Sequence, residues 1–102
     1  MKSLRLVIHG RVQGVGYRDW LVKVASLRGV HGWVRNLTDG AVEAVLSGPE
    51  SDVLACLSAC REGPAFADVS KIETYPWKDA VLPGFRRQQT SPPTRQEGEG
   101  CL

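Results

Sequence analysis

Between Leu4 and Arg28 the chain changes its apolar rhythm, and the joint where it changes reads Gly10-Arg-Val-Gln-Gly-Val-Gly-Tyr-Arg18. Before the joint, Leu4, Leu6 and Ile8 alternate with Arg5, Val7 and His9, the period of a strand with one buried face. After it, Tyr17, Leu21, Val24 and Ala25 recur at helical spacing, so a helix is expected over Asp19–Arg28, ended by Gly29. Glycines at 10, 14 and 16 allow φ > 0 and close approach of the backbone to a ligand. The first N–H groups of a helix lack intrahelical acceptors and lie at the positive end of its dipole, so a strand that turns into a helix through such a loop is an anion cradle. Arg18, at the helix start, adds a planar, permanently charged fork suited to phosphate oxygens. The plainer alternative is a turn whose glycines only relieve geometry, with Arg18 solvated.

The rest of the chain supplies a sheet and a second helix. A strand is expected over Val30–Asn36, with Val34 and Asn36 on one face, and Leu37-Thr-Asp-Gly40 has hairpin-turn chemistry. The next strand, Ala41–Ser47, places Val42, Ala44 and Leu46 inward and Glu43 outward. Gly48-Pro49-Glu50 opens the second helix, proline suiting the first turn and Glu50 and Asp52 its positive end. Val53, Cys56, Leu57 and Cys60 form the buried stripe, and Gly63-Pro64 stops it. Ala67–Tyr75 is a fourth strand whose alternation breaks between Val69 and Ile72, as a bulge would cause. Pro76–Gly84 reads as loop and Phe85–Gln88 as a short last strand. Arg28 falls within the stripe of the first helix and is expected to snorkel at the core's edge. The order βαββαβ plus an edge strand, wound as two right-handed split βαβ units, is an α+β fold. It is a ferredoxin-like two-layer sandwich, an antiparallel sheet with both helices on one face.

A chain of 102 residues makes one domain, here residues 1–89. From Thr90 to Leu102 there is almost nothing apolar to bury, and a flexible tail is expected. A net charge of +2 is far from the dense basic stripe of a dedicated nucleic-acid binder. No apolar run reaches the length of a membrane span and the N-terminus has no signal-peptide core, so a cytoplasmic, monomeric protein is expected. Cys56 and Cys60 lie four apart on a predicted helix, Cys101 is in the tail, and His9 and His31 have no ligand-like spacing to them. The cysteines read as buried apolar residues, with neither metal nor disulfide expected.

The joint lacks the Gly-Lys-Ser/Thr of a nucleotide loop and the spacing of a dinucleotide fingerprint. Val12 stands six before Arg18, where a cysteine-dependent phosphatase would carry its nucleophile. Taken with Gly32-Trp-Val-Arg-Asn36, Gly40, Leu46-Ser-Gly-Pro-Glu50, Gly63-Pro64 and Gly84-Phe85, the run Gly10–Arg18 resembles the acylphosphatase family, from Leu4 to about Arg87. The resemblance implies a small ferredoxin-like enzyme that hydrolyses carboxyl–phosphate anhydrides without metal or cofactor. It also implies a phosphate-binding loop of Gln13, Gly14, Val15, Gly16, Tyr17 and Arg18, with Arg18 as catalytic arginine and Asn36 positioning water. Tyr17 stands where phenylalanine is commoner, adding a hydroxyl that needs a partner if buried. Arg28 replaces an apolar residue, and the tail runs past the family's usual end.

The chemistry suits so spare a residue set. An acyl phosphate expels a carboxylate, which leaves without protonation, so no general acid is needed. Phosphoryl transfer through a loose transition state asks mainly for positioning and charge stabilisation. At Asn36 a carboxylate would repel a dianionic phosphate, whereas a neutral amide can hold water; the competing role is a turn residue capping the hairpin. The expected partner is a small-molecule acyl phosphate, with inorganic phosphate or sulfate competing, and no nucleic acid or membrane. One rival is an anion-binding regulatory domain with the same cradle. The other is an RNA-binding sheet, which would stack bases on strand aromatics that Leu4–His9 and Ala41–Ser47 lack.

Overall fold

In the computed structural model, which describes residues 1–93, the elements are β1 (Lys2–Arg11), α1 (Tyr17–Leu27), β2 (His31–Asn36), β3 (Val42–Gly48), α2 (Glu50–Glu62), β4 (Asp68–Pro76) and β5 (Phe85–Arg87). β1 runs on through Gly10 and Arg11, and α1 begins at Tyr17 rather than Asp19. The helix ends as its glycine requires: Gly29, at φ 69°, lets Val30 N–H reach Ala25 O (2.9 Å) and Gly29 N–H reach Ser26 O (3.1 Å).

The strands order β4-β1-β3-β2-β5. Each helix therefore crosses over one intervening strand, as split βαβ units demand, and β1, β2, β3 and β4 pair antiparallel. β5 departs from the wholly antiparallel expectation. It pairs parallel with β2 through Gly32↔Phe85, Trp33↔Arg86 and Val34↔Arg87, so the sheet is mixed. The reason is directional: β4 lies at one edge, and a chain that reverses after it and crosses to the far edge must run alongside β2. The broken alternation in β4 is a bulge, since His9 pairs Lys71 and Gly10 pairs Val69, leaving Ser70 unopposed. A Cβ on Gly10 would lie 2.2 Å from Asp68 O, so only glycine fits beside it.

The core lies between the helices and one sheet face. Leu6, Ile8, Val34, Val42, Ala44 and Leu46 meet Tyr17, Leu21 and Ala25 of α1 and Val53, Cys56 and Cys60 of α2. Val24 and Leu57 are only half-buried at its margin. Cys56 and Cys60 are free thiols; burial raises the Cys56 thiol and pushes that of Cys60 up to about 12, so they pack as apolar groups.

Two charged residues sit differently from expectation. Glu43 is on the helix-free face, but it is 1% exposed instead of solvated. Arg35 opposes it across β2–β3 and Arg5 reaches it from β1; their Nε atoms donate to its two oxygens at 2.7 and 2.6 Å. Arg28 is exposed rather than tucked at the core's edge, and reaches Asp52 of α2 at 3.3 Å. Beyond β5 the chain keeps to the sheet: Ser91 N–H donates to Asn36 O and Thr38 N–H to Ser91 O, both at 3.0 Å. The rest of the expected tail, residues 94–102 with Cys101, lies outside the described residues.

Candidate active site

The end of β1, the start of α1 and the end of β2 come together at one end of the sheet. Leaving β1, the chain buries Val12 to 1% exposure and then turns through Gly14 (φ 74°) and Gly16 (φ 80°), both left-handed. A Cβ at either glycine would meet nothing within 4 Å, so what requires glycine there is the backbone conformation and not lack of space. Gly16 is the N-cap of α1, no side chain caps the helix, and the first helical bond is Trp20 N–H to Gly16 O at 3.0 Å. The N–H groups from Gly14 to Asp19 thus have no acceptor among the described residues. Six donors at the positive end of a helix, all unpaired, favour an anion.

Two side chains complete the arrangement. Val34 faces the core, so strand alternation puts Asn36 on the helix side of β2, at the strand's end. Asn36 and Arg18 line the same cleft of ≈ 220 Å³, together with Gly14, Gly16 and Tyr17. Neither the guanidinium of Arg18 nor the amide of Asn36 has a side-chain hydrogen bond among the described residues. The turn-capping role weighed for Asn36 belongs instead to Asp39, whose Oδ1 accepts Ala41 N–H at 3.0 Å.

Gln13 and Val15 stand apart from that cleft. Gln13 turns its Nε2 to Leu37 O (2.7 Å) and Ala41 O (2.8 Å), tying the glycine loop to the β2–β3 turn that follows Asn36. Val15 is half-buried and packs on the core. The ring of Tyr17 is 1% exposed, and its hydroxyl donates to Cys60 O at 2.7 Å. That carbonyl would pair with the N–H four residues on, but the residue there is Pro64, which has none. Burial, above all, raises the Tyr17 hydroxyl far beyond its usual range, so it stays a donor.

The family model for Acylphosphatase matches residues 4–86. The chain belongs to the acylphosphatase family. An acylphosphatase of Azorhizobium caulinodans is 61% identical over 71 residues, covering 70% of this chain and 76% of that protein. One from Rhodospirillum rubrum is 48% identical over 88 residues, 86% of this chain and 97% of the other. The crystal structure of acylphosphatase from Bacillus subtilis superposes with a TM-score of 0.81 at 32% identity, spanning 86% of this chain and 99% of that one.

Two residues of this acylphosphatase-family cleft escaped the sequence reading: Asp19 and Arg87 also line it, joined by a 2.7 Å bond from Arg87 Nη1 to Asp19 Oδ1. Asp19, in the first turn of α1, suits the positive end of the helix dipole, and nothing in that local pattern points it to the cleft. Arg87 reaches the cleft only because β5 pairs parallel with β2, a contact between distant segments that no local pattern encodes. His31, by contrast, is structural: its Nδ1 accepts Gly84 N–H at 2.8 Å and anchors the crossing loop.

Proposed function

We propose that this family member hydrolyses acyl phosphates to a carboxylate and inorganic phosphate, with Arg18 and Asn36 as catalytic residues and Gln13–Arg18 as the phosphate-binding loop. The observation that carries this reading is that a guanidinium, a neutral amide and a run of backbone donors, all unpaired among the described residues, share one small cleft.

The phosphoryl group sits with its non-bridging oxygens against the loop N–H groups and Arg18, which oppose the charge those oxygens carry in the transition state. Asn36 holds a water on the far side of phosphorus from the acyl oxygen. As the water oxygen bonds to phosphorus, the phosphorus–acyl oxygen bond breaks and its electron pair leaves with the carboxylate. One of the water's protons passes to a phosphoryl oxygen and the other stays on the attacking oxygen, giving dihydrogen phosphate. Because the leaving group is a weak base, neither general acid nor Lewis acid is required at it. The working unit is one chain, since every group invoked comes from residues 1–89; a cytoplasmic setting fits the free thiols of Cys56 and Cys60. Nucleic acid is not a partner in this reading. The faces of Trp33 and Tyr75 on the open sheet are taken by Arg35 (4.7 Å) and Arg5 (5.1 Å), where bases would have to stack.

Benzoyl phosphate hydrolysis tests the proposal. Arg18→Gln and Asn36→Ala are each expected to lose about 100-fold or more in kcat, the scale for one preorganised donor. Phosphate or sulfate should compete with substrate, and EDTA should leave the rate unchanged. Full activity in Asn36→Ala would remove its water-holding role. Phosphate binding without turnover would favour the regulatory alternative.

A further inference from the structure

Two clefts meet at Arg18 and Arg87. Beside the loop cleft lies a second groove of ≈ 400 Å³, walled by Arg18, Arg87, Gln88, Gln89 and Thr90. An anhydride held by its phosphoryl group must lead its acyl arm out of the first cleft, and the second shares two of its walls. Among the described residues, that groove carries guanidinium, amide and hydroxyl groups but no apolar side chain and no carboxylate. Its floor is fixed, because Gln88 N–H donates to Val34 O at 2.8 Å and holds the segment to β2. Arg87 gives Nη1 to Asp19, and among the described residues the remaining donors of its fork have no acceptor.

We infer that Arg87 is a specificity-determining residue that favours acyl phosphates whose acyl arm bears a carboxylate over those with an uncharged arm. The inference rests on the hydrolytic reading above. A carboxylate on the arm would take the free donors of Arg87 in a charge-assisted bond, while Asp19, holding the same guanidinium, weakens its pull.

The test compares kcat/KM for 4-carboxybenzoyl phosphate with that for benzoyl phosphate, a rigid pair differing only in the remote carboxylate. In the wild type the ratio is expected to exceed one by about three- to tenfold. Arg87→Gln should bring it close to one, Arg87→Lys should keep part of it, and Asp19→Asn should raise it by freeing the fork. Arg86→Gln, which removes the same charge from the other face of β5, should leave the ratio where it is. A variant that folds poorly lowers both rates together and does not move the ratio. Raising salt from about 0.01 M to about 1 M should carry the wild-type ratio toward one without any substitution. A ratio near one in the wild type, or one insensitive to both Arg87→Gln and salt, overturns the inference, and so does a fall in Arg86→Gln equal to that in Arg87→Gln. A wild type that turns over neither substrate would instead overturn the hydrolytic reading beneath it.

Discussion

Arginines gather on both sides of this sheet, and the two groups differ in what they are given to bind. On the helix-free face, Arg5 and Arg35 each donate Nε to the same buried carboxylate, and their guanidiniums stack on Tyr75 and Trp33. Donors and acceptor are matched there, and the cluster works as a clasp across β1, β3 and β2. On the helix side, Arg18 faces a cleft rich in N–H donors, and nothing among the described residues answers it. A protein that leaves so many donors unpaired at one point gains nothing in stability from them. The excess marks a place for an anion from outside.

The largest expected effect breaks or upholds that distinction. Glu43→Ala strands two partly buried guanidiniums, and should lower unfolding free energy by about 3–5 kcal/mol, the scale of a buried pair losing one member. For a small domain with about 5–15 kcal/mol in all, that is a large share, readable as a fall in the urea midpoint. Arg18→Gln should leave the midpoint where it is while abolishing turnover. Should Arg18→Gln destabilise the fold as much as Glu43→Ala does, the two groups are alike and the cleft loses its case.

Tyr17 sharpens the contrast within one residue. Its backbone N–H faces the unpaired loop, whereas its hydroxyl is spent on the Cys60 carbonyl that Pro64 cannot serve. Tyr17→Phe should therefore cost about 1–3 kcal/mol of stability, the penalty for leaving a buried acceptor bare. Its kcat on benzoyl phosphate should hold, since the ring and the loop amides are unchanged. A loss of kcat with stability intact would mean that the hydroxyl serves the cleft and not the core.

Much of this was legible from local pattern. Periods of two and of 3.6 gave each element its place, and the order of elements gave the sandwich. Gly14, Gly16, Arg18 and Asn36 could be named because glycine chemistry and the family resemblance both fall on short motifs. What stayed hidden depends on partners distant in sequence. Glu43 alternates like any outward residue, and only the register with β1 and β2 shows that Arg5 and Arg35 roof it over. The parallel run of β5, and with it Arg87, follows from where a crossing loop lands. Gln13 sits in the motif, yet its amide works on Leu37 and Ala41, carbonyls that the hairpin brings within reach.

The smallest effect lies at the outer margin of the clasped face, where His9 Nε2 donates to Glu73 Oε1 at 3.0 Å. That bond, chiefly, holds the Glu73 carboxyl below its usual value, with Lys71, 3.9 Å away, pulling weakly the same way. A carboxyl lowered in the folded state stabilises fully above its unfolded pKa, and the contribution fades as pH falls through the folded one. Glu73 is 39% exposed, so solvent screens the pair and it should give no more than the ~0.2–1 kcal/mol of exposed ion pairs. Urea midpoints of the wild type and Glu73→Gln should differ slightly at neutral pH and converge in acid, once pH falls below the lowered folded pKa of Glu73. A gap that persists in acid would show that Glu73 acts there by packing, and that matched charge matters on this face only where Glu43 is buried.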